Sequence, residues 1–183
     1  MDSLDEEKRF YERFWALLRD RDLMRVFERF GPEAFRRSSV LEGFEALIEE
    51  EQFKGDTCVE IGTFRGLTAL VLKRHFRRVI SIDLYDDAMR AEIADELGLE
   101  YEFVRVRSNA EKAEIVARLR FDAAYVDGDH AHDTESDFAL VERCGRVLLH
   151  EHWDAQPAVL ALVRRLRAQG LVVTRGKFAL WTR

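Results

Sequence analysis

The chain has 183 residues, of which 47% are hydrophobic and 35% are charged, which fits a folded protein with one core and excludes a disordered chain. Its formal net charge of −6 argues against general nucleic-acid binding, because that binding depends on neutralising phosphates. No apolar run approaches the roughly 20 residues of a membrane helix, and the acidic N-terminus is unlike a secretory signal. Cys58 and Cys144 form no CxxC pair and no disulfide framework, so we expect a reduced, cytoplasmic compartment. From the charge and the apolar pattern we expect no nucleic-acid partner and no membrane partner.

The first 54 residues carry apolar side chains at helical spacing and predict an N-terminal helical extension. The apolar positions are Phe10, Phe14, Leu17 and Leu18, then Leu23, Val26, Phe27 and Phe30, then Leu41, Phe44, Leu47 and Ile48. Gly31-Pro32 separates the second group from a third helix, expected over 39–51. Packing against the rest of the chain is the favoured role of this extension, and a lid over a substrate or a homodimer surface is the alternative.

From residue 55 onward, short apolar strands alternate with amphipathic helices. We predict strands over 57–62, 78–83, 101–106, 121–127 and 146–151, and helices over 67–74, 87–97, 110–119, 134–143 and 157–169. This alternation predicts an α/β fold in which helices cover both faces of a mostly parallel sheet. Two further strands, over 171–174 and 177–181, are joined by Arg175-Gly176 as a tight hairpin, so one of them must run antiparallel.

Two glycines, Gly62 and Gly66, follow the first predicted strand. Glycine allows a ligand to approach the backbone closely at the start of a helix. Phe64 stands where the dinucleotide-binding fingerprint has its second glycine, and this disfavours NAD or FAD. The loop suits a ligand that has an adenosine and a carboxylate but no bridging phosphates.

Polar residues also follow the second and third predicted strands. Asp83 comes about 20 residues after Gly62, the offset at which an acidic side chain accepts hydrogen bonds from ribose hydroxyls. Ser108 and Asn109 follow the third strand, where they could meet an adenine edge or cap the next helix. The two roles are compatible.

Four of the five histidines fall at the ends of the fourth and fifth strands, beside acidic residues. They are His130, His132, His150 and His152, and their acidic neighbours include Asp127 and Glu151. If the two strands are neighbours, these groups face one another across a crevice. His130 and His150 are candidate general bases, since histidine titrates in the required pH range.

Three segments resemble a known family. The run from Glu60 to Thr68, EIGTFRGLT, resembles the first motif of class I S-adenosylmethionine-dependent methyltransferases, in the form found in catechol O-methyltransferase-like enzymes and in methyltransferase family 24, which includes macrocin O-methyltransferase relatives. Phe121 to His130, FDAAYVDGDH, resembles the F-D-x-x-x-I-D-G-D-H signature of family 24, and 144–151 is similar to its G-G-x-I-x-x-H/D-D segment. The resemblance covers about residues 55–183.

The resemblance implies a Rossmann-like sheet of seven strands over 55–183 and transfer of a methyl group from S-adenosylmethionine to a hydroxyl of a small-molecule acceptor. By matching positions, it places these residues around the cofactor: Glu60, Gly62, Thr63, Phe64, Gly66, Asp83, Leu84, Ser108, Asn109 and Asp127.

The means of activating the acceptor stays open at this point. Several relatives bind a divalent metal through the acid that ends the fourth strand, and the corresponding set here is Asp127, Glu151 and His152. A mixed oxygen and nitrogen set suits Mn, Fe, Ni or Zn better than Mg²⁺. Two other functions also remain: a metal-dependent hydrolase or oxygenase built on the histidine and acidic cluster, and a non-catalytic subunit that binds the cofactor.

Overall fold

A computed structural model describes residues 19–35, 44–128, 133–149, 157–169, 172–175 and 178–183. Several positions singled out from the sequence lie outside these ranges: Phe10, Phe14, Leu17, Leu18, Leu41, His130, His132, His150, Glu151 and His152. From the N-terminal extension, the described elements are α1 (Arg21–Phe30), a 3₁₀ turn (Pro32–Phe35) and α2 (Phe44–Glu50).

The remaining elements alternate as the sequence predicts. They are β1 (Gly55–Ile61), α3 (Leu67–His75), β2 (Phe76–Asp83), α4 (Ala88–Leu97), β3 (Glu102–Arg105), α5 (Asn109–Arg118), β4 (Ala123–Val126), α6 (Thr134–Val141), a 3₁₀ turn (Glu142–Cys144), β5 (Arg146–Leu149), α7 (Pro157–Ala168), β6 (Val172–Arg175) and β7 (Phe178–Thr182). The strands form one sheet in the order β3-β2-β1-β4-β5-β7-β6. Among the strands of the described residues, the pairs that include β7 are antiparallel and the others are parallel, which confirms the predicted Rossmann-like sheet with its antiparallel C-terminal strands.

Helices cover both faces of the sheet and divide the core into two layers. On one face, α1 to α4 pack against the sheet, and Leu23 and Phe44 from the N-terminal extension are buried there beside Leu70 and Tyr125. On the other face, the buried side chains of α5, α6 and α7 contact the sheet. β1 lies between β2 and β4, and its last five residues are buried because helices cover both faces of the sheet. None of the helices in the described part of the chain is long and apolar enough to cross a membrane.

Two of the predicted elements are shorter in the structure than the sequence indicates. The fourth strand, expected over 121–127, is limited to Ala123–Val126 because its parallel partner β1 ends at Ile61, which pairs with Val126. The helix expected over 134–143 ends at Val141 and tightens into the 3₁₀ turn before Gly145, whose φ of +77° redirects the chain into β5.

Candidate functional site

A cavity of about 300 Å³ lies at the carboxyl ends of β1, β2 and β4. Its walls are Ile61, Gly62, Ile82, Asp83, Leu84, Tyr85, Lys112, Asp127, Gly128, Asp133 and Asp137. Small-molecule sites start at about this size, and open α/β sheets bind ligands at this edge. The cavity is therefore the candidate ligand site.

The loop after β1 depends on glycine. Gly62 has a φ of +84°, and a Cβ placed on it would lie 2.2 Å from the backbone oxygen of Asp127, so no other residue lets the loops after β1 and β4 touch. Gly66 has a φ of +78° and begins α3 in the left-handed region. Phe64 also has a positive φ, +48°, which costs a non-glycine residue about 1–2 kcal/mol. The loop after β1 therefore contains a strained backbone conformation at Phe64, which the surrounding contacts must stabilise.

Asp83 ties this strained loop to the end of β2. Its Oδ2 accepts hydrogen bonds from the backbone N–H groups of Thr63, at 2.9 Å, and Phe64, at 3.1 Å. Its Oδ1 accepts from the N–H of Tyr85 at 3.0 Å. A carboxylate has about four acceptor positions. Asp83, which lines the cavity, can therefore still accept one hydroxyl of a ligand without giving up a loop contact.

Glu60, expected from the resemblance to contact a cofactor, lies behind the loop and does not line the cavity. It is completely buried, and its two carboxyl oxygens accept hydrogen bonds from the hydroxyls of Thr68 and Ser81. Burial raises the pKa of Glu60 to about 7, and the nearby charge of Asp127 acts in the same direction. In this structure the hydrogen bonds of Glu60 join β1 to α3 and β2, the elements that flank the loop.

Ser108 and Asn109 are placed at the joint between β3 and α5. The Ser108 hydroxyl accepts a hydrogen bond from the N–H of Glu111 and caps α5, one of the two roles expected for it. Asn109 donates its side-chain N–H to Oδ2 of Asp133 at 2.9 Å. Neither Ser108 nor Asn109 lines the cavity, but Asp133, the hydrogen-bond partner of Asn109, does.

Asp127 lines the cavity and accepts a hydrogen bond from the Tyr125 hydroxyl at 3.0 Å. The partners expected for it, Glu151 and His152 for a metal and His130 and His150 as bases, lie outside the described residues. Within the described ranges, the one cluster with metal-ligand geometry lies elsewhere, on α2 and α3, and consists of Glu45, Glu49 and His75. Its Glu45 is already paired with Arg74 at 2.9 Å, so this cluster says nothing about the cavity.

Sequence reasoning missed a buried ion pair in the cavity wall. Lys112 of α5 pairs with Asp137 of α6, and their side chains are only 6% and 1% exposed. Asp137 also packs below the turn after β4, since a Cβ on Gly128 would lie 2.8 Å from its Oδ2. The available signal was the position of Lys112 four residues before Val116, on the buried face of α5.

The described walls of the cavity carry an excess of negative charge. Among the described residues that line the cavity, Asp83, Asp127, Asp133 and Asp137 carry carboxyl groups, and Lys112 is the one basic residue of that described set. Such a site favours a ligand with positive charge over an anion such as a pyrophosphate.

Solved structures of other proteins have a similar fold. A Klebsiella pneumoniae protein provisionally described as an O-methyltransferase matches with a TM-score of 0.63 and 15% identity, over 89% of this chain and 90% of its own. The O-methyltransferase from Bacillus cereus, in complex with S-adenosylhomocysteine, matches with a TM-score of 0.59 and 13% identity, over 86% and 95%. The chain shares the fold of these methyltransferases.

The same fold also serves other reactions. Precorrin 8W decarboxylase from Methanobacterium thermoautotrophicum matches with a TM-score of 0.55 and 19% identity, over 76% of this chain and 89% of its own. No family model and no curated protein matches the sequence, so the resemblance to methyltransferase family 24 is not confirmed. Function must therefore be argued from the cavity.

Proposed function

We propose that the protein binds S-adenosylmethionine and transfers its methyl group to a hydroxyl of a small molecule. The observation that carries the proposal is the cavity at the ends of β1 and β2, which Gly62 and Asp83 both line and where Asp83 accepts a hydrogen bond from the N–H of Thr63. The fold shared with the Bacillus cereus enzyme and its bound S-adenosylhomocysteine supports the same choice.

The described residues fit this cofactor in charge and in hydrogen-bonding capacity. Its sulfonium and ammonium groups outweigh its single carboxylate, which matches the acidic walls of the cavity. The remaining acceptor position of Asp83 suits a ribose hydroxyl, and Leu84 supplies an apolar surface beside it. Gly62 lines the cavity and allows the loops after β1 and β4 to meet at its wall, beside the place that the amino-acid part would take.

The cofactor, when bound, supplies an electrophilic methyl group. The protein must hold the acceptor oxygen in line with that group and remove the proton of the hydroxyl. His130 or His150 would take the proton in one route, whereas Asp127, Glu151 and His152 would hold a metal that stabilises the alkoxide in the other. The Tyr125 hydroxyl donates a hydrogen bond to the Asp127 carboxylate and so orients the group that the metal route would use as a ligand.

The first test is Asp83→Ala, measured by isothermal titration with S-adenosylhomocysteine. We expect at least about tenfold weaker binding, because a hydrogen bond to a charged group contributes roughly 1.5–3 kcal/mol. Asp86→Asn is the matched control, since Asp86 also follows β2 but pairs with Arg90 and does not line the cavity. Unchanged affinity in Asp83→Ala would remove the ribose role, and a wild-type protein that does not bind the compound would refute the proposed function.

The second test separates the metal route from the base route by elemental analysis of the purified protein. The metal route predicts about one equivalent of Mn, Fe, Ni or Zn per chain, lost in Asp127→Ala because the set loses an anionic ligand. A wild-type protein without bound metal, whose methyl-transfer activity is unaffected by chelator, would leave His130 or His150 as the base.

A further inference from the structure

His75, the last residue of α3, has a ring nitrogen without a hydrogen bond. Its side chain is 16% exposed, but the Nε2 atom itself is buried and finds no hydrogen-bond partner among the described residues. The carboxyl oxygen Oε1 of Glu45 lies 3.8 Å from this nitrogen, which is too far for a hydrogen bond. Buried polar atoms are nearly always paired in folded proteins, so the unpaired nitrogen points to an ion or a water that completes its contacts.

Two carboxylates of α2 lie close to His75. Glu45 and Glu49 are four residues apart on this helix, so they are neighbours on one of its faces. One carboxyl oxygen from each of them and a ring nitrogen of His75 all lie within 4.8 Å of one another. Ligands that bind one Zn²⁺ at about 2.0–2.2 Å in a tetrahedral arrangement are about 3.4 Å apart. Small rotations of the three side chains would therefore bring them to the spacing of a metal site.

The charges around this cluster favour a cation. Arg74 pairs with Glu45 at 2.9 Å, but the same guanidinium also pairs with Asp20 at 2.6 Å and with Asp22 at 3.3 Å. One positive group thus faces three carboxylates, and Glu49 adds a fourth negative group beside Glu45. A carboxylate has about four acceptor positions, so Glu45 can keep its contact with Arg74 and still bind a metal. A divalent cation would balance the remaining negative charge.

We propose that Glu45, Glu49 and His75 bind Zn²⁺ or a similar divalent transition metal, which fastens the N-terminal extension to α3. One imidazole and two carboxylates suit such a metal better than Mg²⁺, which strongly prefers oxygen ligands. None of the three residues is among the described walls of the cavity, so this site is separate from the proposed function and does not depend on it. Because the ligands come together only in the folded chain, metal binding stabilises the contact between α2 and α3.

The test is isothermal titration of the full chain with zinc chloride after treatment with a chelator. His75→Gln and Glu49→Gln should each weaken Zn²⁺ binding at this site at least about tenfold, since even the loss of a group that only supports a metal ligand costs about 10–100-fold. Glu50→Gln is the matched control, because Glu50 is also exposed on α2 but lies outside the cluster. Zn²⁺ should also raise the Tm of wild type more than that of His75→Gln, because the metal binds the folded chain.

Asp127→Ala separates this site from the metal route proposed for the cavity, and it should retain the Zn²⁺ binding that His75→Gln loses. Glu49→Gln keeps the test decisive if His75→Gln does not fold, because Glu49 is exposed. A wild-type chain that binds no Zn²⁺ would overturn the inference, as would binding that Glu49→Gln leaves unchanged. Loss of all Zn²⁺ binding in Asp127→Ala would place the metal in the cavity and overturn it as well.

Discussion

Lys112→Met is expected to lower the free energy of unfolding by about 3–5 kcal/mol, the cost of removing one partner of a buried ion pair. The substitution keeps a long side chain in α5 but leaves the buried carboxylate of Asp137 without the ammonium group that faces it. Urea denaturation at neutral pH measures the change directly.

Two further variants test whether the buried charge is the cause. Lys112→Met combined with Asp137→Asn should recover part of the lost stability, because the double variant buries no uncompensated charge. Arg78→Met, which breaks the exposed pair between Arg78 and Glu102, should cost at most about 1 kcal/mol. A loss in Lys112→Met no larger than that of Arg78→Met would show that the ammonium contributes little.

Glu60→Gln is expected to abolish part of the pH dependence of stability. The folded chain holds a proton on Glu60 up to about pH 7, whereas the unfolded carboxyl releases it near 4.5. The stabilisation from this proton is complete below 4.5 and is lost as the pH rises through about 7, a total of about 3 kcal/mol. Glutamine stays neutral, so the variant should gain stability relative to wild type as the pH rises.

The measurement is the difference in unfolding free energy between variant and wild type, taken near about pH 5 and about pH 8, with most of the effect between them. Glu114→Gln is the control, because Glu114 is exposed on α5 and its replacement should leave the pH dependence unchanged. A difference for Glu60→Gln that is constant with pH would mean that the buried carboxyl is ionised throughout the range.

The sheet could be predicted from the sequence because each strand carries its own local signal. The apolar run before Gly62, the alternation with helices and the turn at Arg175-Gly176 depend on neighbours in the chain, and the structure confirms the parallel sheet and its antiparallel β7. The position of Asp83 beside the glycine loop was also accessible, because an offset along the chain fixes it.

The contacts of the site could not be predicted, because they join residues far apart in the sequence. Glu60 turns to Ser81 on the next strand and away from the cavity, which a motif match does not show. Lys112 would ordinarily be assigned to the surface, and only the packing of α5 against α6 brings it to Asp137. Asp133 follows the D-G-D-H segment and carries no pattern of its own before Asn109 is seen beside it.

The place of β7 has a consequence for synthesis on the ribosome. β7 pairs with both β5 and β6, so β6 joins the sheet only through a strand that is translated after it. Until Phe178–Thr182 has left the ribosome, the nascent chain exposes β5 as an open edge whose Val147 and Leu149 are destined for the core. An unpaired apolar edge invites pairing with other chains, so translation that stalls just before this strand would leave an aggregation-prone intermediate.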